Sequence, residues 1–189
     1  MRRVRTIYFI AICFITLTFF SCGNKKNTGV PLFSKIDSSG INFINKVVDS
    51  KEDNSFLFRN FYNGGGVALG DINNDDLCDV LLTSNQGENK LYLNKGGFKF
   101  EDITAKSGMQ QDSMWSTGVV MADINNDGWL DMYVCNSGHI NDGNRRNKLY
   151  INNHNLSFTD SAAEYGLDHS GFSTQATFFD YDMDGDLDC

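Results

Sequence analysis

Short apolar runs alternate with clusters of glycine, asparagine and aspartate along most of this chain. In one stretch the runs fall at about 66–70 (GVALG), 80–84 (VLLTS), 89–94 (NKLYLN) and 98–103 (FKFEDI). They are rich in β-branched, aromatic and leucine residues and lack a sustained 3.6-residue period, so each is predicted to be a strand. The Gly, Asn and Asp between them are turn formers that tolerate unusual backbone angles.

The pattern then repeats. GVALGD (Gly66–Asp71) is matched by GVVMAD (Gly118–Asp123), and NKLYLN (Asn89–Asn94) by NKLYIN (Asn147–Asn152). FEDITAKSGM (Phe100–Met109) is matched by FTDSAAEYGL (Phe158–Leu167). Four strands per repeat of about 50 residues is the period of a propeller blade. A single four-stranded sheet cannot bury both faces, so successive blades must stack. The expected fold class is therefore all-β, with propeller blades of four antiparallel strands in an incomplete ring. A β-sandwich of two hairpin repeats is the alternative, but it leaves the fixed place of an acidic segment in each unit unexplained.

The expected organisation places an N-terminal strand segment and connection at 32–65, blades at 66–117 and 118–174, and the start of a third at 175–189. FSKIDSSGINF (Phe33–Phe43) resembles the end of a blade, with Gly40 matching Gly108 and Gly166, and is expected to help close a ring. Gly64, Gly65 and Gly66 are expected to let backbone approach closely at the first inner strand. The second repeat carries an insertion, so CNSGHINDGNRR is expected to be an extended loop. The sequence stops one residue past the third acidic segment, where the first two repeats continue into a strand. That stop predicts an N-terminal fragment of a ring of about 4–8 blades.

The acidic segments are DINNDDLCD (Asp71–Asp79), DINNDGWLD (Asp123–Asp131) and DYDMDGDLD (Asp180–Asp188). Side-chain oxygens at positions 1, 3, 5 and 9, with the backbone carbonyl of position 7, can converge on one hard cation. Calcium takes about 6–8 oxygen ligands in flexible geometry and suits such a set better than magnesium. The first candidate site is Asp71, Asn73, Asp75, the Leu77 carbonyl and Asp79. The second is Asp123, Asn125, Asp127, the Trp129 carbonyl and Asp131; the third is Asp180, Asp182, Asp184, the Asp186 carbonyl and Asp188. Gly128 and Gly185 suit a sharp turn at position 6, where the first loop carries Asp76. An EF-hand is excluded because Leu82 and Val134 stand where it needs a bidentate glutamate. Up to three structural Ca2+ ions are expected, against the simpler reading of Asp-Gly hairpin turns with solvated carboxylates.

Charge supports that reading. The net charge is −8, and 12 of the 24 acidic residues lie in the three acidic segments. This balance argues against a nucleic-acid partner. MRRVR, the apolar run Ile7–Phe20 and Ser21-Cys22 form an export signal resembling a lipoprotein processing site, with Cys22 as the expected lipidated residue. An ordinary cleaved signal or an uncleaved anchor is the alternative. Residues 23–31 then read as a tether. Cys78, which aligns with Leu130 and Leu187, is expected to be a small buried apolar residue, and no cysteine pair has zinc-site spacing.

GVALGDINNDDLCDVLL and GVVMADINNDGWLDMYV resemble FG-GAP (VCBS) repeats, the blades of integrin-α-like β-propellers. The F-x-D-x-T/S…G segments and SGINF further resemble bacterial surface proteins of the ASPIC/UnbV type, related to cartilage acidic protein. The resemblance covers about 32–189 and implies calcium held between the first and second strands of a blade. It implies no single activity. The expected function is an exported, calcium-binding adhesion or scaffold module at the bacterial outer membrane or cell surface, with secreted or periplasmic location as the alternative. Its partner would be a protein or glycan at a propeller face or the inserted loop 136–146, and the membrane through the lipid anchor. A polysaccharide lyase or hydrolase, or its accessory domain, is the competing class. For that class His139, His154 and His169 lack a nucleophile or carboxylate at useful spacing. His139, Asp142, Arg145 and Arg146 could touch a ligand, and Trp115 and Trp129 could stack on sugar or pack between blades.

Overall fold

The structure is a computed structural model that describes residues 31–109, 114–138 and 145–189. The chain divides after Lys35, and the fold is that of the second unit, Ile36–Cys189. Among the described residues there are eight strands and no helix. They are β1 (Val67–Gly70), β2 (Asp79–Leu82), β3 (Lys90–Asn94), β4 (Phe100–Asp102), β5 (Trp115–Ala122), β6 (Asp131–Ser137), β7 (Lys148–Asn152) and β8 (Phe158–Asp160). They form two antiparallel four-stranded sheets, β1-β2-β3-β4 and β5-β6-β7-β8, in simple sequence order. The two sheets are successive blades that do not close into a ring.

The four runs predicted in the first repeat become β1 to β4, with ends trimmed by the turns. Phe98, expected inside a strand, sits in a left-handed turn at φ 56° beside Gly97. The second blade begins earlier than its sequence match suggests. β5 starts at Trp115 and carries one extra residue between Ser116 and Val119, opposite Asn136 and Val134.

Period-2 alternation explains how the blades stack. On β6, Met132 and Val134 face one way, into a core with Ala68, Leu81, Leu91, Leu93 and Ile103 of the first blade. Tyr133 and Cys135 face the other way and pack with Leu149, Ala176 and Phe178. Every residue of β6 is consequently buried. The third repeat contributes the start of a hairpin, a single bridge between Phe179 and Asp188 that corresponds to the Gly70–Asp79 and Ala122–Asp131 pairs.

The joints between units use the same bonds at each step. Ser116 N–H donates to the Ser84 carbonyl (3.1 Å), and Ser173 N–H donates to the Asn136 carbonyl (3.2 Å). Glycine is required where the backbones meet. A Cβ on Gly118 would lie 2.4 Å from the Thr174 carbonyl oxygen, and one on Gly65 would lie 1.9 Å from that of Thr83.

The segment before β1 wraps the first blade. Ser39 accepts from Phe100 N–H (2.7 Å) just as Ser107 accepts from Phe158 N–H (2.7 Å). Ser39-Gly40 therefore takes the place before the first blade that Ser107-Gly108 takes before the second. Asn42 and Asn45 continue the wrap, bonding Tyr92 Oη (3.0 Å) and Asn85 (2.8 Å). Phe58 and Phe61 then pack on Trp115 at ring separations of 5.5 and 5.0 Å.

Phe61 is 1% exposed whereas Phe56 is 98% exposed. Phe61→Ala is expected to destabilise the fold by about 3–5 kcal/mol through lost burial and the cavity left behind. Phe56→Ala should stay within about 0.5 kcal/mol. Equal shifts in the denaturant midpoint would show that the connection does not hold the blades.

Candidate functional site: three acidic loops

The first two acidic loops link β1 to β2 and β5 to β6, the third is spanned by the Phe179–Asp188 bridge, and all three adopt one backbone shape. Positions 4 and 6 are left-handed each time: Asn74 and Asp76, Asn126 and Gly128, Met183 and Gly185. Asparagine, aspartate and glycine accept this geometry readily, while Met183 does so at a steric cost.

These turns aim backbone N–H groups at the carboxylates. The position-1 aspartate receives the amides of positions 5 and 6: Asp71 from Asp75 (3.1 Å) and Asp76 (2.7 Å), Asp123 from Asp127 (2.9 Å) and Gly128 (2.8 Å). Asp180 receives Asp184 and Gly185, both at 3.2 Å. The position-5 aspartates Asp75, Asp127 and Asp184 accept the amides of Leu77, Trp129 and Asp186. The position-9 aspartates accept the position-2 amides: Asp79 from Ile72, Asp131 from Ile124 and Asp188 from Tyr181. In the two complete blades the other position-9 oxygen also accepts an amide from the third strand, Asn94 at 2.7 Å and Asn152 at 2.9 Å.

Asp79 and Asp131 are fully buried. Burial pushes the carboxyl pKa of both upward, and neighbouring loop aspartates add to it, while the backbone N–H bonds oppose it. Asp186 is exposed, and its pKa is raised chiefly by the charge of Asp184. Each loop thus crowds negative charge beyond what its amide donors offset.

Two features fit a hard cation. Asn73 Oδ1 is buried without a hydrogen-bond partner, an arrangement that proteins rarely leave uncompensated. In the third loop, Asp180, Asp182 and Asp188 offer carboxylate oxygens within 4.8 Å of one another. These are positions 1, 3 and 9, the places held by Asp71, Asn73 and Asp79 in the first loop. The first loop is tied to the second blade: Asn74 Nδ2 donates to the Gly128 carbonyl of the next loop (3.2 Å), and Asn152 Nδ2 at the end of β7 donates to the Ile72 carbonyl (2.8 Å).

One participant was not expected. His154, in the turn between β7 and β8, places Nε2 2.9 Å from Asp127 Oδ2. Its ring stacks on Trp129 at 4.7 Å and 19°. The hydrogen bond from His154 is the leading cause that holds the Asp127 carboxyl below its usual range. Nothing in the local sequence spacing announces this contact, because it joins two different turns of one sheet.

The remaining candidates disperse. Trp115 packs against Phe58 and Phe61. Arg145 lies over the Phe172 ring at 4.5 Å, and Arg146 pairs with Asp168. His169 is exposed in the loop before the third repeat. His139, Asp142 and Cys22 lie outside the described residues. Cys78 is exposed, not buried, whereas Cys135 is buried. The counterpart of Cys78, Leu130, approaches Gly70 of the preceding blade, and among the described residues no blade precedes the first to cover Cys78 in the same way.

The FG-GAP-like repeat matches residues 71–134, a span that includes the first two acidic loops. Cartilage acidic protein 1 of Xenopus tropicalis is 31% identical over 111 residues, covering 58% of this chain and 17% of that protein. The Homo sapiens protein of the same name is 34% identical over 76 residues, 40% of this chain and 12% of that protein. The chain is therefore homologous to a segment of these relatives, and the match spans less than a fifth of their length.

Burial pushes the Cys135 thiol up to about 11, which leaves almost no thiolate at neutral pH. Iodoacetamide is expected to alkylate Cys78 in the folded protein while sparing Cys135 until denaturant is added. Mass mapping of labelled peptides reads this directly, and equal labelling would contradict the buried placement of β6.

Proposed function

We propose that the chain is part of an exported β-propeller module whose acidic loops hold calcium as a structural brace. The carrying observation is the partnerless Asn73 Oδ1, set in a loop shape that recurs three times around clustered aspartates, one of them buried in each of the first two loops. Asp71, Asn73, Asp75, Asp79 and the Leu77 carbonyl would hold the first ion. Asp123, Asn125, Asp127, Asp131 and the Trp129 carbonyl would hold the second; Asp180, Asp182, Asp184, Asp188 and the Asp186 carbonyl would hold the third. Bound calcium supplies the positive charge that these carboxylates lack. The residues themselves orient the oxygens through their amide bonds and tie each loop to the end of its sheet. The homology to cartilage acidic protein 1 and the FG-GAP-like repeat support a binding or scaffold role outside the cell. Its ligand would be a protein or glycan, with Cys22 as a lipid anchor.

Calcium binding to the native state alone stabilises it by mass action, about 1.4 kcal/mol per site at a free concentration ten times Kd. Adding calcium to chelated full-length protein is therefore expected to raise Tm by several degrees, and removing it to reverse the shift. Asp127→Ala should lower the bound calcium by one ion, while the exposed Glu164→Ala should leave it unchanged. An unaltered Tm, or no difference between the two variants in a calorimetric titration, sinks the proposal.

A further inference from the structure

Two turns at the same place in the blades, Asn94–Lys99 and Asn152–Ser157, begin alike but carry glycine at the third position in one and histidine in the other. In the first blade Asn94 Oδ1 accepts the Gly96 amide (2.9 Å), and in the second Asn152 Oδ1 accepts the His154 amide (2.9 Å). Both residues are left-handed, Gly96 at φ 81° and His154 at φ 63°. Both also face position 7 of their acidic loop. A Cβ on Gly96 would lie 3.9 Å from Leu77 Cδ1, and the His154 ring lies on Trp129. The start of the turn therefore has the same shape in both blades, and the second blade places an imidazole there although a left-handed histidine is less comfortable than glycine.

The imidazole reaches two ligand positions at once. Nε2 bonds Asp127 Oδ2, which also receives Asn125 Nδ2 at 2.8 Å. The stacked ring fixes the side chain of Trp129, whose carbonyl is the candidate position-7 ligand. In the first loop, Asp75 Oδ2 receives Asn73 Nδ2 at 3.0 Å, and Gly96 has no side chain to add a second donor. Partners behind ligating carboxylates orient them and raise metal affinity, and losing one commonly costs about 10–100-fold.

We propose that His154 is a positioning residue that pre-orients Asp127 and Trp129, so that the second loop binds its cation more tightly than it would without the imidazole. This rests on the calcium reading of the loops. The Nε2 bond holds Asp127 Oδ2 in place and leaves Oδ1, which accepts the Trp129 amide, turned into the loop. Ordering this carboxylate before the ion arrives lowers the entropy lost on binding.

The test is a calcium titration of full-length protein followed by tryptophan fluorescence, with calorimetry of the same samples. Trp129 reports on the second loop, and Trp115, the only other tryptophan, lies at the opposite end of β5. His154→Gly puts at this left-handed position the residue that the first blade has there, so the variant is expected to fold with Tm unchanged in chelator. Its midpoint for the Trp129 signal should move to roughly tenfold higher calcium. His154→Gln, which can still donate, should recover part of that shift, an outcome that a merely structural role would not produce. A midpoint that stays in place, or moves to lower calcium, overturns the proposal and makes the imidazole a bystander or a competitor. No calcium response in the unmodified protein would instead remove the calcium reading beneath it.

Discussion

The acid that ends each loop is the constraint around which a blade is organised. Asp79 is buried, and its two oxygens accept amides from Ile72 in the loop and Asn94 at the end of the third strand. Asp131 repeats the arrangement with Ile124 and Asn152. One carboxylate thereby ties the first hairpin to the next strand, where a backbone ladder alone would leave the sheet end open. Burial without a cationic partner is costly. The amide bonds offset part of that cost, and the raised pKa of both groups shows the part they do not. The rest of the loop follows from this need: two left-handed positions turn further amides toward the remaining acids.

The sheets depend on each other for a different reason. Period-2 alternation gives a strand two faces, and β6 is apolar on both, so it needs an apolar neighbour on each side. The first blade covers one face and the third repeat begins to cover the other. Close backbone approach at Gly118 then sets the spacing, because any side chain there would meet the Thr174 carbonyl. Hydrophobic burial supplies the attraction, and glycine decides how near the units come.

Much of this was legible in the residues themselves. The alternation of GVALG, VLLTS and NKLYLN with turn formers marks strands, and their recurrence marks blades, because both signals are local and repeat. The left-handed turn at Asp76 was readable from its alignment with Gly128 and Gly185. The left-handed Met183 was not, since methionine gives no turn signal. The bulge between Ser116 and Val119 lies beside the bond from Ser116 to Ser84, a long-range contact with no trace in local spacing. The placing of Phe58 and Phe61 against Trp115 is likewise tertiary. His154 escaped for the same reason: its partner lies 27 residues away on another turn. Cys78 differs from the expectation because alignment with leucines says nothing about whether a neighbouring blade covers the side chain, as the first blade meets Leu130.

The joint between units has an implication for how such chains diverge. Because Ser116 meets Ser84 in the way that Ser173 meets Asn136, each seam presents the same donor and acceptor to its neighbour. Gain or loss of a whole module during evolution would thus preserve every seam, whereas a single methyl group at Gly118 would disturb one. Variation in such a lineage is expected to come in whole-module steps and in the turns that project from them, with the seams nearly invariant.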